Sequence, residues 1–150
     1  MEIRKLTHQD KVPMDLLLLA DPSEELVRKY LNVGETFIAE IEEMVVGVYV
    51  FVSSEKGSAE LMNIAVREEF QRRGLGKQLI LDAIKRIKQA GYTRIEIGTG
   101  NSSIGQLALY QKCGFRITGI DSDFFLRNYP EVIIENGIQC VDMIRLSVDL

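Results

Sequence analysis

Apolar and polar positions along the chain follow two periods, and the points where one gives way to the other mark the elements. Residues 2–6 alternate and predict a first strand, with Ile3 as its core position. Residues 14–20 form a compact apolar run that Pro13 can open at the first helical position, and Asp21-Pro22-Ser23 breaks it. Ser23 has the chemistry of an N-cap, with Glu24 and Glu25 favourable in the first turn. Leu26, Val27, Tyr30 and Leu31 then give a second helix its apolar face. Residues 36–42 and 44–53 read as a hairpin turning at Glu42-Glu43, without the Asn-Gly pair that suits positive φ. Residues 45–52 are nearly continuous β-formers, as a buried central strand requires, and Gly47 among them predicts a bulge or a close approach.

The second half repeats the alternation of periods. Residues 59–66 predict a strand that ends in the apolar run Ile64-Ala65-Val66. Leu75, Leu79, Ile80, Ala83, Ile84 and Ile87 fall at helical spacing, with Lys85, Arg86 and Lys88 outside and Gly91 placed to end the helix. Residues 93–99 predict a strand, 98–103 a polar loop, 104–113 a short helix ended by Gly114, and 115–120 another strand. Residues 121–130 are a polar, aromatic-rich loop, and residues 132–135 and 138–148 predict a second hairpin about Asn136-Gly137. The order is β-α-α-β-β-β-α-β-α-β-β, an α/β (α+β) pattern with a mixed sheet and helices on both faces. No internal repeat or shift of composition divides it, so a single domain over residues 1–150 is expected.

The chemistry concentrates between the 59–66 strand and the helix after it. Gln71-Arg72-Arg73-Gly74-Leu75-Gly76, followed by Lys77, is a basic turn in which two glycines remove side chains where ligand oxygens would approach the backbone. It opens a helix, whose first N–H groups lack intrahelical acceptors and suit a phosphate. No Gly-Lys-Ser/Thr follows, so this is not a Walker loop, and the glycine spacing is not that of a dinucleotide fold. With Ile64-Ala65-Val66 before it, the turn resembles the acyl-CoA pyrophosphate loop, Gln/Arg-x-x-Gly-x-Gly/Ala, of the GNAT N-acetyltransferase superfamily. A second motif, Leu107-Ala-Leu-Tyr-Gln-Lys-Cys-Gly-Phe115, resembles that family's Leu-Tyr-x-x-x-Gly-Phe signature. The likeness covers nearly the whole chain, with its specific motifs between Glu60 and Phe115.

The resemblance implies a mixed, mostly antiparallel sheet and an enzyme that moves an acetyl group from acetyl-CoA to a primary amine. Gln71, Arg72, Arg73, Gly74, Leu75, Gly76 and Lys77 would wrap the pyrophosphate. The main chain of Ile64, Ala65 and Val66 would meet the pantetheine arm like an added strand. Tyr110 would donate a proton to the departing thiolate, since a phenol stays protonated at neutral pH; the alternative is a ring packed at the core edge. Family members often place Asn seven residues before this tyrosine. Here that position is Ser103, and Asn101 lies two residues earlier, so either is a candidate for the pantetheine contact. Strand alternation puts Glu60, Met62, Ile64 and Val66 on one face, which makes Glu60 a candidate base; the alternative is a surface glutamate at a strand end.

Composition narrows the partners. The net charge of −4 argues against a general nucleic-acid binder, while a few local cations on an acidic body fit an anionic small ligand. One histidine and two distant cysteines offer no metal set and no nucleophile triad. No apolar run reaches about 18 residues and no secretory pattern opens the chain, so no membrane association and a cytoplasmic location are expected. The acceptor would be a small-molecule or peptide amine, and the acidic, aromatic residues of 121–131 could favour a cationic one. A monomer or a homodimer fits. A non-catalytic acyl-CoA-binding module of the same fold is the competing reading.

Overall fold

The structure is a computed structural model describing residues 1–150. The chain runs β1 (Glu2–Lys5), α1 (Met14–Ala20), α2 (Glu24–Val33), β2 (Glu35–Ile41), β3 (Met44–Ser53) and β4 (Ser58–Val66), then a 3-10 turn (Glu68–Phe70) and α3 (Leu75–Gln89). It continues with β5 (Arg94–Gly100), α4 (Ile104–Lys112), β6 (Arg116–Asp121), α5 (Phe124–Asn128), β7 (Ile134–Glu135), β8 (Ile138–Gln139) and β9 (Met143–Asp149). Seven strands form one sheet in the order β1-β2-β3-β4-β5-β9-β6. Every neighbouring pair is antiparallel except β4 and β5.

Helices cover both faces, as the apolar periods require. On one face α3 and α4 bury Leu79, Ile80, Ala83, Ile87 and Tyr110 against Tyr49, Phe51, Leu61 and Ile97. On the other, α1 and α2 bury Leu16, Leu17, Val27 and Tyr30 against Ile38, Val48, Val50 and Ala65. Burying each large aliphatic side chain contributes about 1.5–3 kcal/mol, so the four buried aliphatics of α3 anchor the helix firmly and fix its N-terminus. Gly47 answers both expectations. A Cβ there would stand 3.0 Å from Leu79 Cδ1, and Val46 beside it is an extra residue in β3 where the register against β2 shifts. Ser23 caps α2, accepting from the Leu26 N–H at 3.2 Å.

Three local readings are corrected. Residues 138–148 are not one strand. β8 pairs only with β7, the chain breaks at residues 140–142, and β9 enters the main sheet between β5 and β6. The cause is Asn101, whose Oδ1 accepts from the Val141 and Asp142 N–H groups at 2.8 and 3.0 Å, diverting them from a strand ladder. Residues 121–130 are not all loop, because Phe124–Asn128 is helical.

The third correction bears on the site. Val50 faces Asn63 and Phe51 faces Leu61, so Met62 is an extra residue in β4. A bulge of this kind inverts the facing of everything beyond it. Ile64 and Val66 pack toward α3, while Met62 and Ala65 pack toward α1 and α2. Glu60 stands opposite Val52, which belongs to the α1–α2 side, so Glu60 and Ile64 do not share a face.

Candidate active site

The sheet opens where its one parallel pair ends. β4 and β5 are paired from Ser58↔Arg94 to Leu61↔Ile97 and no further, although both strands continue. Past that point β4 keeps only β3. The Arg67 N–H donates to the Val46 carbonyl, and antiparallel pairs alternate between bonded and non-bonded. Val48↔Ala65 is therefore a bonded pair, while Tyr49↔Ile64 and Gly47↔Val66 are non-bonded. The main-chain groups of Ile64 and Val66 thus point into the opening, and those of Ala65 point back to β3. Ala65 contributes only wall. Gln71 Nε2 donates to the Val66 carbonyl at 2.9 Å, tying the following loop to the strand.

That loop carries a run of free donors. The N–H groups of residues 72–77 have no acceptor in the protein, whereas the Gln78 N–H starts the helical ladder on the Gly74 carbonyl at 3.1 Å. Arg72 at φ 64° and Gly74 at φ 78° turn the backbone so that these donors converge at the start of α3. A Cβ on Gly74 would meet nothing within 4 Å, so this glycine is required by its φ and by access to its amide. Arg72 and Lys77 line the opening, while the Arg73 guanidinium lies 5.1 Å over the Phe70 ring. The loop is exposed apart from the half-buried Gly76 and from Leu75, which anchors it in the core.

Two adjoining cavities follow. The first, of about 410 Å³, runs between Ile64–Val66, the loop of residues 71–77 and the start of α4. Arg72 and Lys77 are its only charged lining residues. The second, of about 370 Å³, lies beyond it under the α1–α2 connection, α5 and the β7–β8 ribbon. Its only charged lining residues are Asp21 and Glu135. Leu19, Ala20, Ile64, Gln106 and Tyr110 line both. Tyr110 is buried, its hydroxyl has no hydrogen-bond partner in the protein, and desolvation pushes its pKa well above the ordinary phenol value. It is a protonated phenol at the junction of a cationic and an anionic compartment.

The other residues singled out from the sequence have different surroundings. Glu60 lines neither cavity; its carboxylate accepts from the Arg145 guanidinium at 3.2 Å, in a cluster with Glu96 on the open sheet face. Asn101 also lines neither, since all three of its side-chain bonds go to the backbone of residues 139–142. Ser103 lines the second cavity, where its hydroxyl donates to Glu135 at 2.9 Å. Of the acidic residues in 121–131, Asp121 pairs with Arg127 at 2.7 Å, and Asp121, Asp123 and Glu131 all stay outside the second cavity. Phe125 and Tyr129 do line it.

Asp21, Asn63, Gln106 and Glu135 also line the second cavity, and none was singled out from the sequence. Asp21 reads in the sequence as part of a helix break. In the structure it accepts from Tyr129 and Tyr30 hydroxyls at 2.9 and 3.1 Å and from the Ser23 N–H at 3.1 Å. Asn63 carried a signal, being one amide in an otherwise apolar strand end. It bridges to the Leu17 carbonyl at 3.0 Å and to Tyr30 at 2.8 Å, fastening α1 and α2 over the opening.

Comparison with known proteins accounts for the donor-lined opening. A family model described as the acetyltransferase (GNAT) family matches residues 5–115. A Bacillus subtilis (strain 168) protein named uncharacterized N-acetyltransferase YvbK is 59% identical over 136 residues, spanning 91% of this chain and 88% of its own length. A solved GNAT family acetyltransferase from Elizabethkingia anophelis, with acetyl-CoA bound, superposes with a TM-score of 0.97 at 50% identity, covering 99% of this chain and 97% of that one. A Bacillus subtilis acetyltransferase in complex with CoA gives a TM-score of 0.94 at 55% identity, covering 99% and 97%. With a sheet split at its parallel pair, free amides at the start of α3 and relatives that hold acetyl-CoA or CoA, the chain belongs to the GNAT family and is an N-acetyltransferase that uses acetyl-CoA as acyl donor.

Proposed function

We propose that this chain, acting as a single domain, acetylates the primary amine of a small molecule or peptide by direct attack on the thioester, with Tyr110 as general acid. Residues 72–77 grip the diphosphate through their unpaired N–H groups, with Arg72 and Lys77 adding charge. Ile64 and Val66 take the pantetheine arm along their free main-chain edge, where a neighbouring strand would otherwise pair. The amine approaches from the anionic cavity. The amine first loses a proton to water. As the C–N bond forms and the C–S bond breaks, Tyr110 gives its proton to the sulfur, and the proton shed by the acylated nitrogen passes back to the Tyr110 phenolate. The family takes an amine acceptor; its size and the state of assembly, monomer or homodimer, belong to this proposal. So does a cytoplasmic site of action, in keeping with two unbridged thiols at Cys113 and Cys140.

The observation that carries the proposal is the Tyr110 phenol, buried, without a partner and lining both cavities. The test is thiol release from acetyl-CoA with a panel of amines, comparing the wild type with Tyr110→Phe. Amine-dependent release that the substitution lowers by roughly a hundredfold or more supports it, because general-acid terms are of that size. Unchanged release would remove Tyr110 from the chemistry. Binding of CoA with no release for any amine would favour the non-catalytic module.

A further inference from the structure

We infer that the acceptor is a diamine-class substrate: its reacting amine lies beside Ile64 and Tyr110 while a second ammonium is held by Asp21 and Glu135. This rests on the acyltransferase reading above and narrows it to a substrate class. The second cavity contains two carboxylates and no lysine, arginine or histidine. The reacting amine arrives with one positive charge and gives up its proton, so after reaction it balances neither carboxylate. A neutral tail would leave both without a counter-charge, and an anionic tail would add repulsion.

Asp21 is built as an anchor. A carboxylate offers about four acceptor sites. Oδ1 takes the Ser23 N–H and the Tyr129 hydroxyl, and Oδ2 takes the Tyr30 hydroxyl, which leaves one site on Oδ2 open. Desolvation, reinforced by Asp21, pushes both phenols well above their ordinary values, so they remain donors and hold the carboxylate fixed. Phe125 and Tyr129 stack at 5.4 Å in the same wall, and a cation over such faces gains a further attraction. Glu135 lines the same cavity from the β7–β8 ribbon and is already oriented by the Ser103 hydroxyl.

A separate observation points to an N–H donor at the reacting end. Asn63 lines the cavity next to Ile64 and is only 4% exposed. Its Nδ2 is taken by the Leu17 carbonyl and Tyr30, and its Oδ1 has no partner. A buried carbonyl oxygen without a donor is costly, and a substrate N–H is the group that would relieve it. Acetylation then joins the near nitrogen to the acetyl carbon, releases CoA as the thiol, and leaves the far ammonium unchanged.

The test is kcat/KM at low salt for three acceptors of matched length: 1,5-diaminopentane, pentylamine and 5-aminopentanoate. The diamine should exceed pentylamine by roughly tenfold or more, the worth of one hydrogen bond to a charged group. The amino acid should fall below both, and 0.5 M salt should shrink the diamine's lead. Asp21→Asn and Glu135→Gln, which keep shape and remove charge, should each compress the diamine-to-pentylamine ratio. Pentylamine within about threefold of the diamine, or a ratio that survives both substitutions, overturns the inference while leaving the acyltransferase reading intact. No thiol release with any amine overturns that reading and this inference together.

Discussion

Tyr110 is placed by a short sequence of causes. It lies in the last turn of α4, whose C-terminus is fixed by Gly114 at φ 100°, and Phe115 immediately after packs against its ring at 6.1 Å. Burial raises its pKa, so the protonated form needed for donation persists to higher pH than for an exposed phenol. The kcat profile should therefore rise with pH as the amine loses its proton and show no descending limb below about pH 10. A fall near pH 8 would mean that another group is the acid. Glu60 gives the opposite expectation. Paired to Arg145 and outside both cavities, it should tolerate Glu60→Gln with kcat/KM within about threefold and a stability loss of about 1 kcal/mol or less, read by urea denaturation. At this scale the sequence carried Tyr110 and the loop of residues 71–77, whose motifs are local. It did not carry Asp21 or Glu135. Each becomes a cavity residue only through contacts spanning many positions, such as Tyr129 with Asp21 and Ser103 with Glu135.

Among elements, those legible in the sequence owe their form to neighbours along the chain. The helices α2, α3 and α4 follow their apolar spacing and end where glycine allows, and the turn at Asn136-Gly137 takes φ 55° and 73°, as its residues favour. The β2–β3 turn has the same geometry with the wrong residues: Glu42 and Glu43 are held at φ 50° and 67°. Left-handed backbone costs a non-glycine residue about 1–2 kcal/mol. Glu43→Gly should therefore gain about 0.5–1 kcal/mol after the glycine's added chain entropy, a rise of about 1–4 °C in Tm. A lowered Tm would show that the Glu43 side chain holds the hairpin in another way. The β4 bulge at Met62 and the β8–β9 break had no local mark. The first is a register shift against β3 and the second is imposed by Asn101, 40 positions before Val141. The bulge turns Glu60 to the face opposite Ile64, where Arg145 holds its carboxylate.

For the whole molecule, one departure from antiparallel order makes the function. Because β5 runs parallel to β4 and parts from it after Leu61, the sheet splits open at its centre, with α3 aimed at one side of the gap and α1, α2 and α5 roofing the other. Charge follows the same division, with Arg72 and Lys77 in the first cavity and Asp21 and Glu135 in the second. No helix is long and apolar enough to cross a membrane. Filling the gap should tie the two halves of the sheet together. CoA at a hundred times its Kd stabilises by about 2.7 kcal/mol, which for a domain of this size raises Tm by about 5–10 °C. The most direct measurement is a titration of 15N-labelled protein with CoA followed amide by amide. The N–H signals of residues 72–77, together with those of Ile64 and Val66, should move most, because these groups are free before binding and engaged after it. If CoA binds and those signals stay in place while others shift, the diphosphate lies elsewhere and the split in the sheet is not its site.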